Sequence, residues 1–230
     1  MRALIKTLKK TFPIDKFFFH RSYSQEGEDM IYRSCFENRK NYKGFYIDVG
    51  AHHPYRFSNT IHFYQNGWKG INIEPTPGAI KLFNIFRHRD INLNIGIDIT
   101  AGILPFYCFN EPALNSFDKD ISTARSATNT KYKITNVINV KTMPLGEVLA
   151  THLPEGQTID FLNIDAEGFD LEVLKSNNWE KYIPLFIIVE VGIDIQNLAD
   201  SELYNYLLAR NYEMVAKTNR TSFFKLKPVS

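Results

Sequence analysis

Carboxylates at the ends of apolar runs are the first feature of this sequence with chemical potential. Asp48 and Gly50 close the run at 45–50, Glu74 closes 69–74, Asp165 and Glu167 close 159–167, and Glu190 lies near the end of 185–191. An acid leaving a buried strand is costly unless it is paired or opens onto a cleft. Four runs ending this way therefore point to one shared site. Glu74 follows Gly50 by about 24 residues, close to the spacing at which an acid in a dinucleotide fold meets ribose hydroxyls. The turn after Gly50 then argues against a pyrophosphate. The positions that G-x-G-x-x-G reserves for glycine carry His52 and Tyr55, with Pro54 between them. A nucleoside without phosphates fits better. S-adenosylmethionine (AdoMet) is one, and its sulfonium and ammonium charges suit a pocket edged by Asp48 and Asp165.

Such residues need a parallel sheet to align them. Strands are expected at 45–50, 69–74, 91–97, 159–165 and 185–191, alternating with helices at 60–64, 78–87, 171–176 and 201–210. Ser24 is expected to cap a further helix over 23–40. The stretch 98–158 is less regular. It holds an antiparallel strand at 103–109, a polar excursion or lid at 115–135, a strand at 137–140 and a helix at 144–150. Runs 212–217 and 222–226 form an antiparallel hairpin at one edge. The expected fold is a single doubly wound, Rossmann-like α/β domain over 23–230, with 98–158 on the acceptor side and a basic lead-in at 1–22.

Bulk properties narrow the function. The chain has 230 residues and a formal net charge of +2, too small a charge to imply nucleic acid as a partner. Residues 1–21 mix basic and apolar side chains, so they serve either as a capping helix and connector or as a weak membrane-surface contact. No spanning segment and no secretory leader is read. Cys35 and Cys108 carry no motif and are expected to be free thiols in a reducing compartment. The expected location is cytoplasmic, with the lead-in allowing a peripheral place on the inner face of a membrane.

The chain resembles the FkbM family of AdoMet-dependent methyltransferases. The resemblance is carried by 24-SQEGED-29, 46-YIDVGAHHP-54 with 58-SNT-60, 67-GWKGINIEP-75, 159-IDFLNIDAEG-168 and 172-EVLK-175. In order and spacing these blocks cover about residues 22–192. Ala166 is a minor departure from the usual IDVEG. The resemblance implies a class I methyltransferase fold and transfer of a methyl group to a hydroxyl, often of a sugar in polysaccharide or antibiotic biosynthesis. It further implies that Asp48 and Gly50, with Ala51, line the methionine end of AdoMet and that Glu74, with Pro75, holds the ribose. The loop from Asn94 should approach adenine.

A hydroxyl acceptor must lose a proton, so a general base is expected near the methyl. The candidates are Asp165, Glu167, His52 and His53, histidine being the easier base near neutral pH. Asp165 and Glu190, on neighbouring strand ends, are alternatively placed to hold a divalent cation such as Mg²⁺ that acidifies the acceptor. Two rival readings remain: a nicotinamide-dependent sugar oxidoreductase or epimerase, and a non-catalytic nucleoside-binding domain. The acceptor, expected to be a small molecule or glycan, and the oligomeric state are not specified by the sequence.

Overall fold

The computed structural model describes residues 20–36 and 41–228. Five strands of its main sheet run parallel: β1 (Phe45–Val49), β2 (Lys69–Ile73), β3 (Ile91–Leu93), β7 (Phe161–Ile164) and β8 (Phe186–Glu190). In the closing hairpin of β9 (Tyr212–Lys217) and β10 (Thr221–Leu226), β10 pairs antiparallel with β8 and β9 antiparallel with β10. The seven strands lie in the order β3-β2-β1-β7-β8-β10-β9. The chain is thus a doubly wound α/β fold.

Alternation along the strands sorts the two faces. Phe45, Ile47 and Val49 of β1 join Ile71, Ile73, Leu162 and Ile164 in one aliphatic core. Packed there are α5 (Leu145–His152), α6 (Asp170–Lys175) and α7 (Glu202–Leu208), through residues such as Leu145, Val173 and Leu207. The other face is aromatic near the strand starts, where Tyr46, Phe161 and Phe186 meet Tyr32 and Phe36 of α1 (Glu28–Phe36), Phe63 of α2 (Ile61–Gln65) and Trp68. Toward the strand ends it turns polar. Asp48, Asn72 and Asn163 are all buried, and the strand register places Asn72 and Asn163 on either side of Asp48.

That register also fixes the site. Val49 pairs with Ile73 on one side and with Ile164 on the other, so the next residues, Gly50, Glu74 and Asp165, leave the sheet abreast. Strand order reverses between β1 and β7, and ligands of such sheets bind at that reversal.

Several boundaries differ from expectation. The run 91–97 splits, because Asn94 turns its amide onto the carbonyls of Glu74 and Thr76. Its second half, β4 (Gly96–Ile97), joins a separate sheet with β5 (Gly102–Phe109) and β6 (Ile134–Met143), in the order β4-β6-β5. Strand β5 lies at the edge, which accommodates Pro105, and β6 absorbs the shorter strand expected at 137–140. The polar excursion contains a helix, α4 (Lys119–Thr128), whose first turn is capped by the Asp118 carboxylate accepting from the Ile121 N–H. The helix expected from residue 23 begins only at Glu28. Residues 22–24 instead wrap the Asp29 carboxylate, which accepts from both serine hydroxyls and the Tyr23 N–H. Its predicted end at 37–40 and nearly all of the basic lead-in lie outside the described residues.

Gly50 is the tightest point. It has φ +76°, and a Cβ there would stand 1.9 Å from the Asp165 carbonyl oxygen. Gly78, before α3 (Ala79–Phe86), has φ +82° but open space around it. Gly50→Ala is therefore expected to cost well over about 2 kcal/mol, from backbone strain and a clash against main chain. Gly78→Ala should cost only about 1 kcal/mol, from conformation alone. Urea unfolding of both variants checks this, and equal losses would contradict it.

Candidate active site

A cavity of about 280 Å³ opens at the carboxyl ends of β1, β2 and β7. Asp48, Gly50, Glu74 and Asp165 form one wall, and Phe106, Phe117 and Tyr132 from the second sheet and excursion face them. Ala51, Pro75, His52 and Glu167 also line it. Among the described residues, five non-glycine residues have positive φ, and three of them, His52, Phe57 and Glu167, line this cavity. Strain of that kind gathers where surrounding structure enforces a functional shape.

Each carboxylate has a different environment. Glu74 is buried, with one oxygen accepting from the His52 N–H (2.7 Å) and the other from the Thr76 N–H (2.7 Å). Burial raises its pKa, the bonds from Thr76 and His52 oppose the rise, and the charge of Asp48 adds to it. Asp48 accepts from the Thr60 hydroxyl at 2.7 Å and from the Asn163 amide at 2.9 Å. Burial again raises its pKa against those two donors. Glu167 is paired with Arg125 of α4 at 2.8 Å. Asp165 differs from all three, because among the described residues its carboxylate takes no hydrogen bond. It is open to the cavity yet enclosed by protein. That enclosure, followed by the charges of Glu167, Glu190, Asp170 and Asp48, pushes its pKa well above the ordinary carboxylate range. Water filling the cavity tempers the effect of enclosure, and a bound ligand restores it.

The histidines part company. His52 lines the cavity, while its Nε2 lies 3.3 Å from Arg56 Nη1. Burial, then the charges of Arg56 and His53, lowers its pKa to about 4. His53 is not among the residues lining the cavity. Its Nδ1 accepts from the Tyr55 and Arg56 N–H groups, so the ring shapes the turn. Arg56 also forms a two-pronged pair with Glu111 at 2.8 and 2.9 Å, tying the turn after β1 to the excursion across the cavity mouth.

Two further expected residues stand apart. Asn94 supports the Glu74 turn from outside the cavity, and Ile95, Gly96 and Ile97 line it in its place. Glu190 lies in a small adjoining hollow shared with Asp165, Glu167, Gln25 and Arg220. Among the described residues no group of three or more His, Cys, Asp or Glu side chains is placed to hold a metal ion.

Sequence reasoning missed the polar layer behind the wall: Asn163, Asn72, Arg87 and Asp90. Asn163 bridges Asp48 and Asn59, and Arg87 and Asp90 form a fully buried ion pair at 3.0 Å. An asparagine on the same face of each of two strands flanking β1 was the one available signal.

Residues 48–214 match the family model described as Methyltransferase FkbM domain. Among solved structures, the chain is similar to the crystal structure of methyltransferase FkbM from Methylobacillus flagellatus KT. The TM-score is 0.50 at 15% identity, and the alignment covers 80% of this chain and 44% of that one. The chain thus spans less than half the length of that structure, and a likeness at this identity speaks to the fold alone. No curated protein matches the sequence.

The site electrostatics predict that the His52 ring stays neutral down to about pH 4. NMR titration of the imidazole resonances reads this directly, and Arg56→Gln should move the His52 midpoint upward. A wild-type midpoint at the ordinary histidine value of about 6.5 would contradict the assignment.

Proposed function

We propose that this chain, which belongs to the FkbM methyltransferase family by its match over residues 48–214, transfers a methyl group from AdoMet to a hydroxyl, of a sugar or related polyol. The observation that carries the reading is the single cavity that Asp48, Glu74 and Asp165 share at the strand reversal. Asn59 supports a cationic ligand there, since it lines the cavity and its buried Oδ1 has no partner among the described residues.

The residues fit the cofactor. Glu74 would hold the ribose, because each carboxylate oxygen spends one lone pair on a backbone N–H and keeps another for a hydroxyl. Ala51 and Pro75 flank it, and Ile95, Ile97, Phe106 and Phe117 offer the adenine an apolar slot. Asp48 and Asn59 suit the ammonium end. When bound, AdoMet supplies a methyl activated by a positive sulfur.

The chain's own part is to orient the acceptor and take its proton. As the acceptor oxygen would bond to the methyl carbon, the carbon–sulfur bond would break to leave neutral S-adenosylhomocysteine, and the acceptor's proton would pass to Asp165. That carboxylate suits the task because burial and neighbouring acids raise its pKa well above the ordinary carboxylate range and it has no competing hydrogen bond among the described residues. His52 at about 4 is a weaker base, and Glu167 is held by Arg125. The second sheet and excursion within 98–158 form the acceptor side, where Arg125 and Arg220 approach the hollow beside Asp165. Free Cys35 and Cys108 support a reducing, cytoplasmic setting. Among the described residues no helix is long and apolar enough to cross a membrane.

Calorimetry should show AdoMet binding without NAD binding. Glu74→Ala should weaken AdoMet by about 1–3 kcal/mol, the worth of charged hydrogen bonds. Asp165→Asn should lower turnover at least about 100-fold while changing cofactor affinity much less, and EDTA should leave turnover unchanged. NAD binding without AdoMet binding, or full turnover in Asp165→Asn, would overturn the reading.

A further inference from the structure

Behind Asp48 lies a chain of buried groups that the reaction does not touch. Arg87, at the end of α3, is fully buried and pairs with Asp90 at 3.0 Å. Its Nη2 donates to the Tyr46 hydroxyl at 2.6 Å and to Thr60 Oγ1 at 3.0 Å. Asp90 is held in turn by Tyr46, the Gly70 N–H and Asn72. Thr60 then donates to Asp48 at 2.7 Å. A guanidinium can only donate, so the threonine oxygen accepts from it, and of its two other neighbours, Ser58 Oγ at 3.3 Å and Asp48 at 2.7 Å, the nearer carboxylate takes the hydroxyl proton.

A second observation comes from local structure. Thr60 occupies the N-cap position of α2, yet its side chain makes no capping bond. Ser58 Oγ takes that role, accepting from the Thr60 and Ile61 N–H groups. A hydroxyl normally spent on a helix end is here committed to Asp48.

We propose that Arg87 and Thr60 are positioning residues for the cofactor, a relay that keeps Asp48 oriented and ionised to receive the ammonium of its amino-acid end. The inference rests on the AdoMet reading above. Removing the relay leaves Asn163 as the only remaining donor to Asp48 among the described residues. The ionisable groups around Asp48 are Arg87 and Asp90 beyond α3, Glu74 and Asp165 at the ends of β2 and β7, and Tyr32 of α1. Only Arg87 among these favours the anion, so loss of its relay shifts Asp48 toward the protonated form and weakens its hold on an ammonium as pH falls.

Two probes separate this role from a merely structural one. S-adenosylhomocysteine carries the amino acid, whereas 5′-methylthioadenosine keeps only the nucleoside end. Thr60→Val should weaken S-adenosylhomocysteine about tenfold, leave methylthioadenosine within about twofold, and raise the pH below which S-adenosylhomocysteine affinity falls. Thr60→Ser should restore both values. Arg87→Lys keeps a cation but loses the planar fork, and should give the same selective loss. Equal loss of both ligands, or no loss of either, would overturn the relay. Wild-type protein that binds neither ligand would instead overturn the cofactor assignment, and the relay with it.

Discussion

Crowding carboxylates into one half-enclosed cavity is unfavourable, and the rest of this structure is arranged around that fact. Parallel register between β1, β2 and β7 brings Gly50, Glu74 and Asp165 out of the sheet side by side, with Asp48 two residues before Gly50. The charges of Asp48, Glu167, Asp170 and Glu190 all act against ionisation of Asp165. Without compensation such a site would protonate or splay apart. The fold meets the repulsion residue by residue, and the way it does so sorts the acids by role.

Glu74 and Asp48 each receive two donors, from backbone amides in one case and from Thr60 and Asn163 in the other. They remain fixed acceptors. Glu167 receives a cation, Arg125, on a helix of the excursion, so its neutralisation also fastens the second sheet over the site. On the cavity wall, Asp165 has no such bond among the described residues. The acid left without a hydrogen bond is thus the one facing the open cavity, where proton transfer is wanted. A ligand carrying positive charge would relieve the remaining repulsion, which links the stability of the site to the chemistry it is proposed to perform.

Much of this was legible in the sequence because strands at the reversal are short, apolar and end in acids. Strand identity, the mostly parallel sheet and the hairpin edge followed from short apolar runs alternating with helices. The wall residues followed from their positions after those strands. What sequence could not show was where side chains turn next. Asn94 sits in the expected loop, yet its amide folds back onto the Glu74 carbonyl. His53 follows the binding turn directly, yet its ring is spent on two backbone amides. Arg87 carries no sequence signal of burial, since a cation at a helix end usually faces solvent. Its burial depends on Tyr46, Thr60 and Asp90 converging from three separate segments. Helix α4 was hidden by its serine- and threonine-rich composition and begins at a cap, Asp118, that resembles any polar loop residue.

The central claim is that the acid-lined wall at this reversal encloses an adenosine bearing no phosphate. A crystal structure of the protein with S-adenosylhomocysteine tests it most directly. The account predicts ribose hydroxyls on the Glu74 carboxylate and the amino group beside Asp48, with the sulfur facing Asp165. Ligand bound away from Glu74, or an adenosine lying outside the cavity, would contradict it.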